Sequence, residues 1–212
     1  MQFISNFTNI MENQFEIIVI TAGRLFDQFG IRAVSIDTVC NELRISKKTF
    51  YTHFPQKEDL VDAVLTYQKQ SNQEKYEKLL KNKNAVDSLI QIIKEIKKSI
   101  ENESLLMCHD LEKYYPRVYE KHELIKKNII RQGFEMNLKM GIEEGYYRDD
   151  LDVELISLFH SVQIKNTFEM MQQANKKYTK KRLVEFFIDL MIHLIANEKG
   201  LKYMEEQSMQ DL

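Results

Sequence analysis

The sequence predicts an all-α fold, and three observations support this expectation. The 212 residues include only six glycines and two prolines, too few for the many tight turns of a β-sandwich or barrel. Apolar residues recur at steps of three and four along most of the chain, which is the helical period. With 43% hydrophobic residues, the chain is able to bury a core without disulfides or metal. We therefore expect long, uninterrupted helices.

Charge and cysteine content limit the classes of partner. The 30 basic and 32 acidic residues give a formal charge of −2, so any basic surface for nucleic acid must be local. Cys40 and Cys108 are far apart and form no disulfide framework, which suits a reducing compartment. No segment approaches the roughly 20 apolar residues that span a bilayer. We expect a cytoplasmic protein that does not associate with a membrane and binds no cofactor.

Three helices are predicted in the N-terminal region. An amphipathic pattern over about residues 12–29 indicates the first helix. Ser35 lies where an N-cap belongs, ahead of a very short second helix. Ser46 is the N-cap candidate of a third short helix, which must stop near Phe54 because Pro55 disfavours helical geometry in the residue before it.

The rest of the chain is predicted to be helical as well, with polar or glycine-containing connectors. The predicted segments are a connecting helix at Lys57–Leu80, a helix marked by Leu89–Ile100, a short helix at about Leu105–Tyr115, a longer helix after Pro116 that ends near Gly145, and two late helices at about 151–173 and 179–197.

The third helix and its flanks carry the chemistry that the net charge conceals. The segment Arg44–Lys57 holds four Lys or Arg residues and His53, and it contains no acid. On a helix that starts after Ser46, Phe50 and Phe54 share one face and polar side chains cover the remainder. Lysines and hydroxyls bind phosphate oxygens, and a short helix fits the major groove of DNA. The alternative is a basic helix face that is simply solvated.

The order of residues in this region resembles the N-terminal domain of the tetracycline-repressor (TetR) family of transcription regulators. The resemblance covers about residues 15–65, and the Tyr-x-x-Phe-x-x-Lys-x-x-Leu tail continues the register of the helix-turn-helix. The connector Gly145–Arg148 also resembles the family's ligand-binding region. The segments that carry the N-terminal resemblance are Ala22–Phe26, Phe29–Gly30, Val34–Ile36, Ile45–Phe54 and Lys57–Leu60.

The resemblance implies a set of DNA contacts. It places two residues at the start of the supporting helix, six along the recognition helix and one at the N-terminus of the fourth helix. In that order they are Ser35 and Thr38; Ser46, Lys47, Lys48, Thr49, Tyr51 and His53; and Lys57. Two departures stand out. Arg44 occupies a turn position where the family usually has Gly, which implies strain if φ is positive there. Lys48 stands where a small residue is frequent.

The resemblance also implies an organisation and a function. Residues 1–56 would form the DNA-binding domain, and residues 57–212 a helical domain for dimerisation and for binding a small-molecule effector. Effector binding would change the separation of the two heads of a homodimer on a palindromic double-stranded operator. We expect a repressor. The alternative is a helical ligand-binding or adaptor protein that has lost DNA binding.

The two late helices are apolar on more sides than one neighbour covers, which favours a dimer interface in the form of a four-helix bundle. Val184, Phe186 and Met191 widen the apolar stripe of the second of these helices. The predicted interface residues are Leu155, Phe159, Val162, Leu183, Phe187, Leu190 and Leu194.

The sequence offers no catalytic constellation. The run of Cys108, His109 and Asp110 lacks a fourth metal ligand at a supporting spacing, and His122 has Lys126 where a zinc-protease helix needs its second His. Gly-rich phosphate loops and Gly-x-Ser-x-Gly elbows do not occur. His160 and His193 lie on apolar helices, and we expect them to be hydrogen-bonded core or interface residues.

Overall fold

The computed structural model describes residues 2–102, 105–172 and 177–209, and the regular elements in those ranges are helices. The all-α prediction is confirmed. The helices are α1 Gln2–Phe29, α2 Ile36–Leu43, α3 Lys47–His53, α4 Lys57–Leu80, α5 Ala85–Asn102, α6 Leu105–Tyr114, α7 Pro116–Glu143, α8 Val153–Gln172, α9 Lys180–Ile195 and α10 Glu198–Met209.

Most predicted boundaries agree with these bounds, and α1 is the first exception. It ends at Phe29, as predicted, where Gly30 adopts a φ of 82°. It begins at Gln2, and the predicted start near residue 12 is wrong. Positions 3, 4, 7, 10 and 11 are also apolar, so the helical period continues toward the N-terminus.

The second exception is a helix after α9 that was not predicted; α9 itself, at Lys180–Ile195, agrees with the predicted helix at about 179–197. Ala196 is extended, with φ −79° and ψ 143°, and closes α9. The sequence analysis missed α10, whose first turn contains two charged residues and Gly200, a weak helix former. The predicted end of α8 at residue 173 lies outside the described residues.

The chain divides into two compact units. The first unit comprises Met1–Tyr76 and Ser104–Glu123, and the second comprises Glu77–Glu103 and Leu124–Leu212. Helix α6 and the first two turns of α7 therefore belong to the same unit as α1–α3. The functional boundary after residue 56 stays a prediction.

The core of the first unit is formed by aromatic and aliphatic side chains from α1 to α4, with contributions from α6 and α7. Phe26, Phe50 and Phe54 are its largest members, each no more than 2% exposed. Met107 and Leu111 of α6 lie in the same buried cluster. The remaining members are Ile18, Val19, Ala22, Leu25, Ile31, Val34, Val39, Cys40, Leu60, Val61, Val64 and Val118.

Polar contacts attach α6 and α7 to the rest of the first unit. The backbone N–H of Arg32 donates to Asp110 Oδ2 at 2.8 Å, and the Arg32 guanidinium donates to the Tyr114 hydroxyl at 2.8 Å. Lys121 Nζ lies 2.7 Å from an Asp62 carboxylate oxygen, and His122 Nε2 lies 2.8 Å from the other. Segments about 60 to 80 residues apart in sequence are thus held to one another in this unit.

The second unit is organised around a buried tyrosine. The Tyr147 hydroxyl donates to Asn137 Oδ1 at 3.0 Å, and Asn137 Nδ2 donates to the Ala85 carbonyl at 2.8 Å. A Cβ on Gly141 would lie 2.1 Å from the Tyr147 ring, so only glycine leaves room for that ring. Tyr147 also forms an isolated antiparallel bridge with Ala196. The connector predicted before α8 therefore packs into this core.

The two histidines of the late helices differ in their hydrogen bonding. His193 Nδ1 lies 2.9 Å from the Asp189 carbonyl oxygen, in agreement with the expected hydrogen bond. His160 Nδ1 is buried and has no hydrogen-bond partner, so the expected hydrogen bond is absent at this atom. The ring of His160 instead stacks against two phenylalanine rings, those of Phe134 and Phe187.

The described ranges are residues 2–102, 105–172 and 177–209. None of the helices in these ranges combines the length and the apolar composition needed to cross a bilayer. Among the residues in these ranges, there is no group of three or more His, Cys, Asp or Glu side chains that could hold a metal ion.

We predict that Asp62→Asn destabilises the protein by about 1 kcal/mol at pH 7, because a partly exposed pair of charged hydrogen bonds is lost. Burial acts to raise the pKa of Asp62, but hydrogen bonds from Lys121 and His122 outweigh it, so the pKa lies below 3.8. A depressed carboxyl pKa stabilises the fold above the unfolded-state value, and this stabilisation is lost as the pH falls through the folded-state value.

Urea unfolding of wild type and variant at pH 7 and at pH 3 measures this difference. The loss should shrink at pH 3, and the exposed Asp149→Asn variant should match the wild type at both pH values. An equal loss at both pH values would contradict the ionic contribution of Asp62.

Candidate nucleic-acid interface

A left-handed residue sets the angle between α2 and α3. Arg44 has φ 53° and ψ 40°; its N–H donates to the Asn41 carbonyl at 3.2 Å, and the Ile45 N–H donates to the Cys40 carbonyl at 3.0 Å. These bonds satisfy carbonyls that the end of a helix leaves free. Arg44 is a bulky residue in a conformation that favours glycine. The condition for backbone strain that the sequence analysis named, a positive φ at Arg44, is therefore met.

Both short helices have the N-caps that the sequence predicted. Ser35 Oγ accepts from the Thr38 N–H at 3.0 Å, and Thr38 Oγ1 accepts from the Ser35 N–H at 3.3 Å, which completes a capping box. Ser46 Oγ accepts from the Thr49 N–H at 3.0 Å and lies 2.9 Å from Thr49 Oγ1. Two serines and two threonines of the predicted contact set therefore also hold the helices in shape.

Two buried aromatic residues anchor α3. Phe50 and Phe54 are 0% and 2% exposed, and their ring centroids lie 5.6 Å apart. The Phe15 ring of α1 stacks on Phe54 with a centroid distance of 4.9 Å. A seven-residue helix is unstable alone in water, so these contacts keep α3 folded.

The opposite face of α3 is polar and open to solvent. Lys47, Lys48 and Thr52 are exposed, and the Tyr51 side chain is 49% exposed. His53 is partly buried, with Nε2 3.5 Å from Gln14 Oε1 of α1. The predicted apolar back and cationic front are thus both present.

The cationic front contains one acidic neighbour that the linear sequence did not reveal. Lys47 Nζ lies 2.7 Å from Asp37 Oδ1 of α2, with both side chains exposed. This hydrogen bond, together with the charge of Asp37, raises the pKa of Lys47. The acid-free run of residues 44–57 therefore receives a carboxylate from the preceding helix.

Lys57 also has an intramolecular partner. Its Nζ donates to the Ile31 carbonyl at 2.6 Å and lies 5.9 Å from the centre of the Phe26 ring. Burial lowers the pKa of Lys57, although the charge of Asp110 acts in the opposite direction. The ammonium group helps to hold the turn after α1, and its predicted contact with phosphate stays a prediction.

The predicted contact residues all belong to the first unit and come from α2, α3 and the segments that flank them. Two helices of eight and seven residues, joined by the sharp turn at Arg44, present the second helix with its polar side outward. This arrangement defines a helix-turn-helix protein.

Residues 18–64 match the family described as "Bacterial regulatory proteins, tetR family". A curated relative, the uncharacterized HTH-type transcriptional regulator YuxN of Bacillus subtilis, is 39% identical over 57 residues. That alignment covers 27% of this chain and 20% of the relative, so the chain matches about a fifth of YuxN. The similarity to the tetR family therefore concerns the N-terminal segment that holds the helix-turn-helix.

Solved structures extend the likeness in fold to most of the chain. A transcriptional regulator from Cytophaga hutchinsonii is similar with a TM-score of 0.72 and 15% identity, over 87% of this chain and 99% of that chain. RolR, solved in complex with resorcinol, has a TM-score of 0.60 and 16% identity, over 91% of this chain and 92% of its own. At such identities, the similarity concerns the fold.

We predict that Arg44→Gly leaves stability unchanged or raises it by up to about 1 kcal/mol. Glycine removes the steric cost of the left-handed conformation, and its greater freedom in the unfolded chain offsets part of this gain. Urea unfolding measures the change.

Asn82→Gly is the matched control for Arg44→Gly, because Asn82 also has a positive φ of 61° and asparagine tolerates this region better. It should gain less. A fall in DNA affinity of more than tenfold in a folded Arg44→Gly protein would instead make Arg44 a contact residue.

Proposed function

We propose that the protein is a DNA-binding transcriptional repressor that a small-molecule effector releases from a palindromic operator. The observation that carries this proposal is the anchoring of α3, which buries two phenylalanines and leaves lysines and hydroxyls facing solvent. The family match over residues 18–64 supports it.

The proposed DNA contacts fall into two groups. The outward side chains of α3, in particular Lys48 and Tyr51, would enter the major groove and meet base edges and phosphates. The residues around the helix starts, together with Lys57, would hold the head against the sugar-phosphate backbone. The complete proposed set is Ser35, Thr38, Ser46, Lys47, Lys48, Thr49, Tyr51, His53 and Lys57.

A homodimer is the proposed form of the regulator, because two recognition helices must reach major grooves roughly 34–36 Å apart on one face of DNA. Exposed apolar residues of α8 and α9 support this assembly. Leu155 is 60% exposed, Phe159 44%, Val162 38% and Leu190 48%. A second copy would cover the same residues on both chains.

The other proposed interface residues are partly shielded within the chain. Leu183, Phe187 and Leu194 are of intermediate burial, and Phe187 packs against the core of the second unit. Val184, Phe186 and Met191 were expected to widen the exposed stripe; Phe186 is 69% exposed, but Val184 and Met191 are only 6% and 5% exposed. The proposed interface is therefore narrower on α9 than the sequence suggested.

We predict that Lys48→Ala weakens binding to random duplex DNA. The negative slope of log affinity against log salt concentration should become less steep by about 0.9, the value for one lost phosphate contact. Fluorescence anisotropy across a salt series measures both quantities. The exposed Lys97→Ala variant of α5 is the control and should match the wild type.

A wild type without salt-dependent DNA binding would contradict the proposed function and favour the ligand-binding or adaptor alternative. Equal slopes in the wild type and Lys48→Ala would remove Lys48 from the contact set.

We predict that Leu190→Glu converts a dimer into monomers that keep their helical content, because a carboxylate in an apolar interface is desolvated without a partner. Leu190 is a better site for this test than Phe187, whose ring also stacks on His160. Sedimentation at micromolar concentration and circular dichroism measure the two properties.

Leu124→Glu is the control for Leu190→Glu, since Leu124 of α7 is 62% exposed and lies outside the proposed interface. It should sediment like the wild type. A monomeric wild type, or a dimeric Leu190→Glu protein, would contradict the interface.

A further inference from the structure

Two buried polar atoms of the second unit have no hydrogen-bond partner. They are Nε of Arg131 in α7 and Nδ1 of His160 in α8. A buried donor or acceptor without a partner costs free energy comparable to that of a lost hydrogen bond. Native proteins retain few such groups, and those that persist call for a specific explanation.

An aromatic stack brings the two residues into one neighbourhood. Phe134 follows Arg131 by three residues on α7, so their side chains are neighbours on one helix face. The Phe134 and His160 ring centroids lie 3.9 Å apart, with 25° between their planes. The Phe187 ring of α9 lies 5.7 Å from His160 at 13°. His160 Nδ1 thus belongs to a ring that stacks on two phenylalanines, and Arg131 precedes one of those phenylalanines by about one helical turn.

The nearest acid on the same helix balances the charge of Arg131 only in part. Glu135 lies one turn further along α7, and its carboxylate accepts from Lys139 Nζ at 2.7 Å. The charge of Arg131 also acts to lower the pKa of Glu135, but its effect is smaller than those of the Lys139 hydrogen bond and charge. An anion at this place would therefore find a guanidinium available to it.

The hydrogen-bonding character of the two atoms indicates the chemistry that would satisfy them. Arginine Nε–H only donates, and neutral imidazole carries a donor on one of its nitrogens. Burial lowers the pKa of His160 to about 4, so its ring is neutral at pH 7. An acceptor with two oxygens is suited to a guanidinium and a second donor, and flat rings stack favourably on phenylalanine.

We propose that Arg131 and His160, with Phe134 and Phe187, form the recognition end of the effector site, and that the effector is an aromatic carboxylate or a similar planar organic anion. This inference rests on the proposed effector-controlled function and specifies the ligand class. The anion receives hydrogen bonds from the two buried donors, while its ring extends the aromatic stack.

The first test uses an aromatic anion as a probe. The full-length protein is titrated with 1-anilinonaphthalene-8-sulfonate, whose fluorescence rises in apolar surroundings, and the probe is then displaced with 1-naphthoate or with its neutral counterpart 1-naphthamide. We expect saturable binding, with displacement by naphthoate at least tenfold more effective than by naphthamide.

Arg131→Met and His160→Phe should each weaken probe binding at least tenfold. Lys127→Gln, an exposed cation on the same helix, should leave it unchanged.

The second test measures melting temperatures without the probe. If the polar atoms are retained for a ligand, an apolar replacement removes a buried polar group that has no hydrogen-bond partner. His160→Phe or Arg131→Met should then melt about 2 °C or more above the wild type. If Arg131 Nε and His160 Nδ1 only bind ordered water, the two variants will melt at lower temperatures than the wild type and bind the probe equally well. That result would overturn the proposal. Absence of saturable probe binding by the wild type, or equal displacement by the amide, overturns it as well.

Binding of random duplex DNA by the same proteins separates this inference from the proposed function. Both variants should bind DNA as the wild type does in the absence of the probe. A wild type that binds the probe through Arg131 and His160 but does not bind DNA would leave the anion site standing and contradict the repressor.

Discussion

The burial of Phe50 and Phe54 is the constraint on which the rest of the first unit depends. Helix α3 has seven residues, and a helix of this length does not persist in water by itself. Its position is fixed by apolar contacts below it and by the Ser46 cap at its start. The polar side chains on the opposite face can therefore change without loss of the helix, provided that the two phenylalanines remain.

Much of this arrangement could be predicted from the sequence because its causes are local. Ser35 and Ser46 precede helical patterns, and capping depends on residues three positions apart. Pro55 sets the end of α3 through its effect on the residue before it. The connecting helix was predicted at Lys57–Leu80, the bounds that α4 has, because acidic residues open it and apolar residues follow at helical spacing.

The features that the sequence did not reveal arise from contacts between distant residues or from weak patterns. Lys47 pairs with Asp37 only because the turn at Arg44 brings α2 and α3 together. The carbonyl that receives Lys57 lies 26 residues earlier. The missing partner of His160 follows from the packing of three helices. Helix α10 was missed because its own residues carry a weak apolar period.

The ion pair between Lys47 and Asp37 has a consequence for how this head would meet a polyanion. In solution, a lysine is normally accompanied by diffuse anions, and phosphate contacts draw their strength from the release of small ions into the bulk. Lys47 carries its counter-charge as part of the protein. A phosphate that approaches Lys47 must exchange with a tethered carboxylate, so the entropy of ion release from this lysine is reduced. Asp37 would thereby weaken attraction to DNA of any sequence without affecting the other contacts proposed for α3.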